Sequence, residues 1–195
     1  MIYPVNEMFL SIQGEGYWTG KAMQFIRLSG CNQDCTFCDT DHKDYQEMHY
    51  GEIIDKIHSH TNTICITGGE PTIHDLVPLT EALKRIPVQV HMETNGTCEI
   101  NYDFMDWVTW SPKTNFYSET AYDADEVKFL IGVEMPDWEG LIDGITPLLN
   151  INTEKFVMPI MGDNERVNMQ LAVKYVLRNP EFRLTVQQHK LVGYK

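Results

Sequence analysis

Short apolar runs and stretches of helical spacing alternate along most of this chain. Residues 23–28, Met-Gln-Phe-Ile-Arg-Leu, read as a strand that runs into a cysteine-containing loop. Ile53, Ile54 and Ile57 share one face of a helix predicted over 52–60. A strand at 63–67, a helix at 75–85 and a strand at 88–93 follow. Leu76, Val77, Leu79 and Leu83 support that second helix, which requires Pro78 to lie in its first turn. Residues 107–110 and 126–131 read as strands separated by an acidic, loop-rich passage. A helix at 138–149, a strand at 155–160, an amphipathic helix at 164–178 and a last strand at 183–187 complete the pattern.

Alternation of this kind predicts a parallel sheet with helices on its outer face. The expected architecture is a single α/β domain over residues 1–195, curved into an incomplete, partial TIM-like barrel. In such folds the chemistry collects beyond the carboxyl ends of the strands. Four unusual segments obey that geometry. The cysteine loop follows the first strand of the alternating series, Gly68-Gly69-Glu70-Pro71 the next, Glu93-Thr94-Asn95-Gly96-Thr97 the third, and Ser111-Pro112-Lys113 the fourth. Four such loops at successive strand ends converge on one mouth.

Composition narrows the class. Apolar residues make up 43% of the 195 positions, enough for a proper core and too few for a membrane protein. With no spanning-length apolar run and no basic-then-apolar leader, the chain is expected to be soluble and cytoplasmic. A formal charge of −13 opposes general nucleic-acid binding, which needs a basic surface. The five cysteines do not form a secreted disulfide pattern. Cys65 lies in an apolar run and reads as a buried small hydrophobe, while Cys98 receives no assignment.

The other three, Cys31, Cys35 and Cys38, fall within eight residues in a C-x3-C-x2-C spacing. Three thiolates do not complete a four-cysteine zinc or iron–sulfur site. They can hold three irons of a cubane and leave the fourth open to a small molecule. A zinc knuckle is the alternative, but no second Cys pair stands at a distance, and His42 stays unassigned. Gly68-Gly69, without Cβ atoms, permits close approach of backbone to a ligand, and a plain tight turn is its bland counterpart.

Together, Cys31, Cys35 and Cys38 with Phe37 between them, and Thr67-Gly68-Gly69-Glu70-Pro71, resemble the radical S-adenosylmethionine superfamily. In that superfamily S-adenosylmethionine chelates the open iron of a 4Fe–4S cluster and is cleaved by one electron. The lead Phe9-Leu10-Ser11-Ile12-Gln13-Gly14-Glu15-Gly16, the run from Phe25 to Asn32 and the exit Cys38-Asp39-Thr40 resemble the 7-carboxy-7-deazaguanine synthase family. Glu126-Val127-Lys128-Phe129 and Gln188-His189-Lys190 fit it as well. The resemblance implies a carbon–nitrogen lyase that contracts 6-carboxy-5,6,7,8-tetrahydropterin to 7-carboxy-7-deazaguanine with loss of ammonia, feeding deazapurine pathways such as queuosine. It also implies a homodimer and an electron donor such as flavodoxin.

Carried over by position, the resemblance gives Ile12, Gln13, Gly14, Glu15, Arg27 and Thr67 to the pterin, with Arg27 on its carboxylate. Lys195 enters that set as the residue whose terminal carboxylate approaches the substrate. Thr40 becomes a ligand to Mg2+, completed by substrate oxygens and water. Phe37, Cys38, Asp39, Gly69, Glu93, Asn95, Ser111, Pro112 and Lys113 become cofactor contacts. Where many members read Gln-Pro-Met this chain has Met158-Pro159-Ile160, so only backbone contact carries over there. Two rivals stand beside this reading. A glycyl-radical activase shares the cysteine spacing but needs no anionic small-molecule site. An iron–sulfur or zinc electron carrier needs no glycine-rich cofactor loop.

Overall fold

Nine strands form one sheet in a computed structural model that describes residues 1–194. In chain order the elements are β1 (Ile2–Ile12), β2 (Ala22–Leu28), β3 (Gln46–His49), α1 (Tyr50–Asp55), β4 (Thr63–Gly68) and α2 (Val77–Leu83). Then come β5 (Gln89–Thr94), β6 (Trp107–Trp110), β7 (Glu126–Ile131), α3 (Trp138–Ile145), β8 (Glu154–Pro159), α4 (Glu165–Arg178), β9 (Arg183–Leu184) and α5 (Gln188–Leu191). The spatial order is β3-β1-β2-β4-β5-β6-β7-β8-β9. From β2 to β9 every pairing is parallel, whereas β1 joins β2 and β3 antiparallel. The result is a partial TIM-like barrel with an antiparallel extension on one edge.

Alternate residues on the parallel strands face opposite layers. Ile26, Leu28, Ile64, Ile66 and Val90 pack outward against Ile53 of α1 and Leu79 and Leu83 of α2. Val108, Trp110, Val127, Phe129, Ile131 and Val157 do the same against Leu141, Ile142 and Ile145 of α3 and Ala172 of α4. Covered on both faces, β4 and β7 carry buried side chains nearly throughout, as parallel strands do. The inner face starts apolar, with Met23, Phe25 and Cys65 packed under Phe9 and Trp18. It turns polar toward the carboxyl ends. That polarity is what positions the site.

Three of the boundaries that depart from the sequence expectation have a visible local cause. The helix predicted over 52–60 begins earlier, because His49 and Glu52 form a capping box, and ends at Asp55. It ends there because the buried Gln24 amide donates to the Lys56 carbonyl (3.1 Å) and accepts from the His58 N–H (2.7 Å). The last strand shrinks to two residues, since Gln187 leaves the sheet to reach the site. Pro78 does lie in the first turn of α2, as required.

The open side of the barrel is spanned by chain segments. The loop after β1 is pinned by Gly20 N–H to the Gln13 carbonyl (2.7 Å) and Gln13 N–H to the Lys21 carbonyl (2.8 Å). It docks on the segment leading into α5, where Gly16 N–H donates to Thr185 Oγ1 (2.7 Å) and Gln188 N–H to the Gly14 carbonyl (3.0 Å). A Cβ on Gly14 would lie 1.8 Å from His189 Nδ1, so any side chain here would have to displace the imidazole.

Candidate active site

Beyond the carboxyl ends of β2, β4, β5 and β6 the four loops meet around one cavity of about 760 Å3, within the usual range for a small-molecule site. The loop after β2 carries the cysteines. Its base is fixed by Gly30 N–H to the His42 carbonyl (3.2 Å) and by His74 Nε2 against the Ser29 carbonyl (2.9 Å). His42 therefore anchors the loop through its backbone. Cys31, Cys35 and Cys38 all line the cavity, and each lies within electrostatic reach of another. Burial raises the thiol pKa of Cys31 and Cys35. Among the described residues no three His, Cys, Asp or Glu side chains converge closely enough to share one metal ion. Three thiols at one cavity suit a cluster of which three irons would each take one cysteine.

Gly68 and Gly69 are required for a reason internal to the protein. A Cβ on Gly68 would lie 2.2 Å from the Leu28 carbonyl oxygen, and one on Gly69 2.2 Å from that of Gly30. The second glycine thus lets the β4 loop lie directly on the backbone of Gly30, beside the Cβ of Cys31. Glu70 is fully buried and locks three loops together. Its carboxylate accepts from Thr72 N–H (3.0 Å), from Thr94 Oγ1 (2.6 Å) and from the Asn95 N–H. Asn95 continues the chain of contacts to the cysteine loop through Nδ2 to Asn32 Oδ1 (3.1 Å). Its Oδ1 accepts from Thr97 N–H (2.9 Å), so it is at once a turn residue and part of the cavity wall.

On the opposite wall lie the residues of the Gln-Gly-Glu-Gly loop. Gln13 Nε2 donates to Glu93 Oε1 (3.0 Å), and Glu15 pairs with the buried Lys128. Glu93 lies 3.8 Å from the same ammonium. Burial works against charge on Glu15, but Lys128 and Gln187 outweigh it and hold its pKa below the usual carboxylate range. Burial also opposes the charge on Lys128, yet Glu15, Glu93 and Glu126 together raise its pKa. Glu126, deeper on β7, is pushed up to about 7 by burial, with Lys128 and the Tyr17 N–H only partly offsetting. Lys113 is drawn down to about 8 by burial and by the nearby Lys128.

Arg27 faces the cavity from β2, directly beside Thr67 in the parallel register. Its Nε donates to Glu7 Oε1 (2.8 Å), which fixes the plane of the guanidinium. Asp39 is held from the tail by Lys190 Nζ (2.6 Å) and Gln187 Nε2 (3.2 Å), and these contacts outweigh burial to lower its pKa. Thr40 lines the same rim, with its hydroxyl 3.4 Å from Asp39 Oδ1.

Of the residues singled out from the sequence, Ile12, Gln13, Gly14, Glu15, Arg27, Phe37, Asp39, Thr40, Thr67, Gly69, Glu93, Asn95, Ser111 and Lys113 all line this cavity with the three cysteines. Pro112 is buried behind the wall and does not line it. Lys195 lies outside the described residues. Glu93 points to Gln13 and Lys128. Sequence reasoning gave no role to Lys128, Gln187 or His189, which also line the cavity. A lysine inside a fully buried, mostly apolar strand was the available signal for the first.

Residues 25–108 match the Radical SAM superfamily. Over 196 aligned residues covering all of both chains, this chain is 38% identical to the 7-carboxy-7-deazaguanine synthase of Bacteroides thetaiotaomicron. It belongs to the 7-carboxy-7-deazaguanine synthase family. The Escherichia coli K12 member is 32% identical, with 99% of each chain covered. A crystal structure of QueE from Escherichia coli superposes with a TM-score of 0.81 at 30% identity, over 96% of this chain and 95% of that one. The chain is a radical SAM enzyme of this family, and the superfamily implies a 4Fe–4S cluster and S-adenosylmethionine. The cysteine loop fits that pair: three sulfur donors, glycine-allowed backbone approach beside Cys31, and a cavity continuous with all three.

Proposed function

We propose that this protein, acting as one radical SAM core domain over residues 1–195, converts 6-carboxy-5,6,7,8-tetrahydropterin to 7-carboxy-7-deazaguanine with release of ammonia. The observation that carries the reading is one cavity holding the cysteine loop at one wall and Arg27, Gln13 and Glu15 at another. The family membership given above supports it. When bound, the cluster and S-adenosylmethionine supply one-electron cleavage and hydrogen abstraction. The remaining tasks are binding and orientation, and these fall to the protein.

Arg27, with its Nε already held by Glu7, offers its fork to the substrate carboxylate. Gln13 and Glu15 supply acceptors and a donor to the pterin edge, with the Ile12 and Gly14 backbone beside them. Thr67, level with Arg27, closes the substrate wall. Phe37, Asp39, Gly69, Glu93, Asn95, Ser111, Pro112 and Lys113 are assigned to the cofactor side. Lys113 donates to the Ser111 carbonyl (3.1 Å), which holds both at the rim. Thr40 supplies one hard oxygen, fitting a Mg2+ whose other ligands are substrate oxygens and water. Lys195 belongs to the same substrate-side assignment.

We further propose a cytoplasmic homodimer reduced by a small electron-transfer protein such as flavodoxin, with the product entering deazapurine synthesis of the queuosine type. No helix is long and apolar enough to cross a membrane among the described residues. The test is anaerobic reconstitution with iron and sulfide, then dithionite, S-adenosylmethionine and the carboxylated pterin. Mass spectrometry should find 7-carboxy-7-deazaguanine and ammonia. Release of 5′-deoxyadenosine without pterin turnover would instead indicate a different substrate, and release of none would indicate an electron carrier.

A further inference from the structure

Lys128 sits on β7 beneath the substrate-side residues, its side chain only 5% exposed. Isolated burial would strip it of its proton, yet it ends among carboxylates from three different segments. Glu15 of the loop after β1 pairs with it, Glu93 of β5 lies 3.8 Å away, and Glu126 stands two residues before it on its own strand. We infer that Lys128 is a positioning residue that keeps Glu15 ionised and aimed into the cavity, as the acceptor for the donor-rich aminopyrimidinone edge of the substrate. This rests on the pterin reading proposed above.

The chemistry is direct. A pterin edge presents a ring N–H and an exocyclic amino group side by side, so it needs two acceptors in one plane. An ionised carboxylate offers about four lone-pair sites. On Glu15, Lys128 and Gln187 take one oxygen each, Gln187 Nε2 at 2.8 Å from Oε1. Each oxygen therefore keeps accepting capacity for the ligand. A protonated carboxyl would turn one of those acceptors into a donor, facing the donors of the pterin. Glu15 is so enclosed that, without a cation, a proton is the cheaper way to neutralise it.

The titratable and charged groups that bear on Glu15 come from every neighbouring element. They are Lys128 and Glu126 on β7, Glu93 on β5, Lys113 after β6 and His189 on α5. Asp39, with its partner Lys190, lies across Gln187. Among the described residues, Lys128 is the one cation that pairs with the Glu15 carboxylate.

The test is the pH titration of the Glu15 carboxyl carbon by 13C NMR in the full chain, alongside calorimetry of pterin binding from pH 5 to 8.5. In the wild type Glu15 should titrate below its ordinary value of 4.5. In Lys128→Met the midpoint should rise by at least about one unit, and pterin affinity should fall about tenfold per pH unit below that new midpoint. Lys128→Arg should keep the low midpoint. A wild-type midpoint above 4.5 overturns the inference without any variant, which covers the case of Lys128→Met failing to fold. So does an unmoved midpoint in Lys128→Met, or a loss of affinity equal at every pH. If the wild type binds no pterin at any pH, the functional reading fails, and the Glu15 midpoint still decides whether Lys128 holds its charge.

Discussion

Arg27, its side chain 20% exposed, is paired and aimed at a cavity, which is the profile of a group held ready for a ligand. Arg27→Ala should lower kcat/KM for the carboxylated pterin by the equivalent of about 2–3 kcal/mol, the worth of a charge-assisted bidentate contact. Loss of iron from the same variant would place Arg27 in the fold instead. Thr40 is tested by its metal dependence. Thr40→Val should abolish the acceleration of turnover by Mg2+ with iron content intact, and equal Mg2+ responses in both proteins would make Thr40 a loop residue only. Glu126 speaks to stability. Its folded pKa of about 7 exceeds the ordinary 4.5, so the folded state binds the proton more tightly. Its contribution is full below pH 4.5 and is lost as pH rises through 7. His91, buried and held down to about 4, acts oppositely: it stabilises above pH 6.5 and loses that contribution as pH falls toward 4. Comparing wild type with Glu126→Gln isolates the first effect. Wild-type stability relative to the variant should drop by on the order of 2–3 kcal/mol between pH 5 and 7.5, read from urea midpoints. The cysteines, Arg27 and Glu15 were legible as residues because their spacing matches a family pattern. Lys128 was not, because its meaning lies in a contact 113 positions away along the chain.

Among the elements, β2, β4, β5, β6, β7 and β8 were readable because strands buried on both faces are written as apolar runs. The two antiparallel strands were not. β1 contains Pro4 and an irregularity in its pairing between Val5 and Glu7, which breaks the alternation that marks a half-buried strand. β3 buries only Met48 and carries polar residues otherwise, as suits an edge. The glycine-rich loop after β4 was legible as a site feature but not in its cause. Gly68 serves contact with the end of β2 and Gly69 with the cysteine loop, a tertiary fact that no local pattern encodes. Gly69→Ala should therefore weaken retention of iron in a chelator challenge, with little change in the outer helices by circular dichroism. Gly144 in α3 makes the opposite prediction: a Cβ there meets nothing within 4 Å. Gly144→Ala should stabilise by about 0.5–1 kcal/mol through helix propensity alone, leaving iron retention as in the wild type.

For the whole molecule the dominant physical fact is a net charge of −13. An acidic electron donor must approach against that field, and exposed charges are screened beyond about 10 Å at 0.1 M salt. The rate of reduction by an acidic donor such as flavodoxin should rise between low and moderate ionic strength in stopped-flow measurements. A falling rate would reveal a local basic docking patch strong enough to reverse the global repulsion.

The clasp between residues 13–16 and 185–190 carries a consequence for the order in which this molecule comes into being. Translation delivers the cysteine loop, Glu15 and Lys128 well before Thr185, Gln187 and Lys190 leave the ribosome. A nascent chain can thus raise most of its barrel while one flank of the cavity still stands open. During that interval Asp39 and Glu15 still await their Gln187 contact. Insertion of the cluster before the clasp shuts would make maturation a timed event.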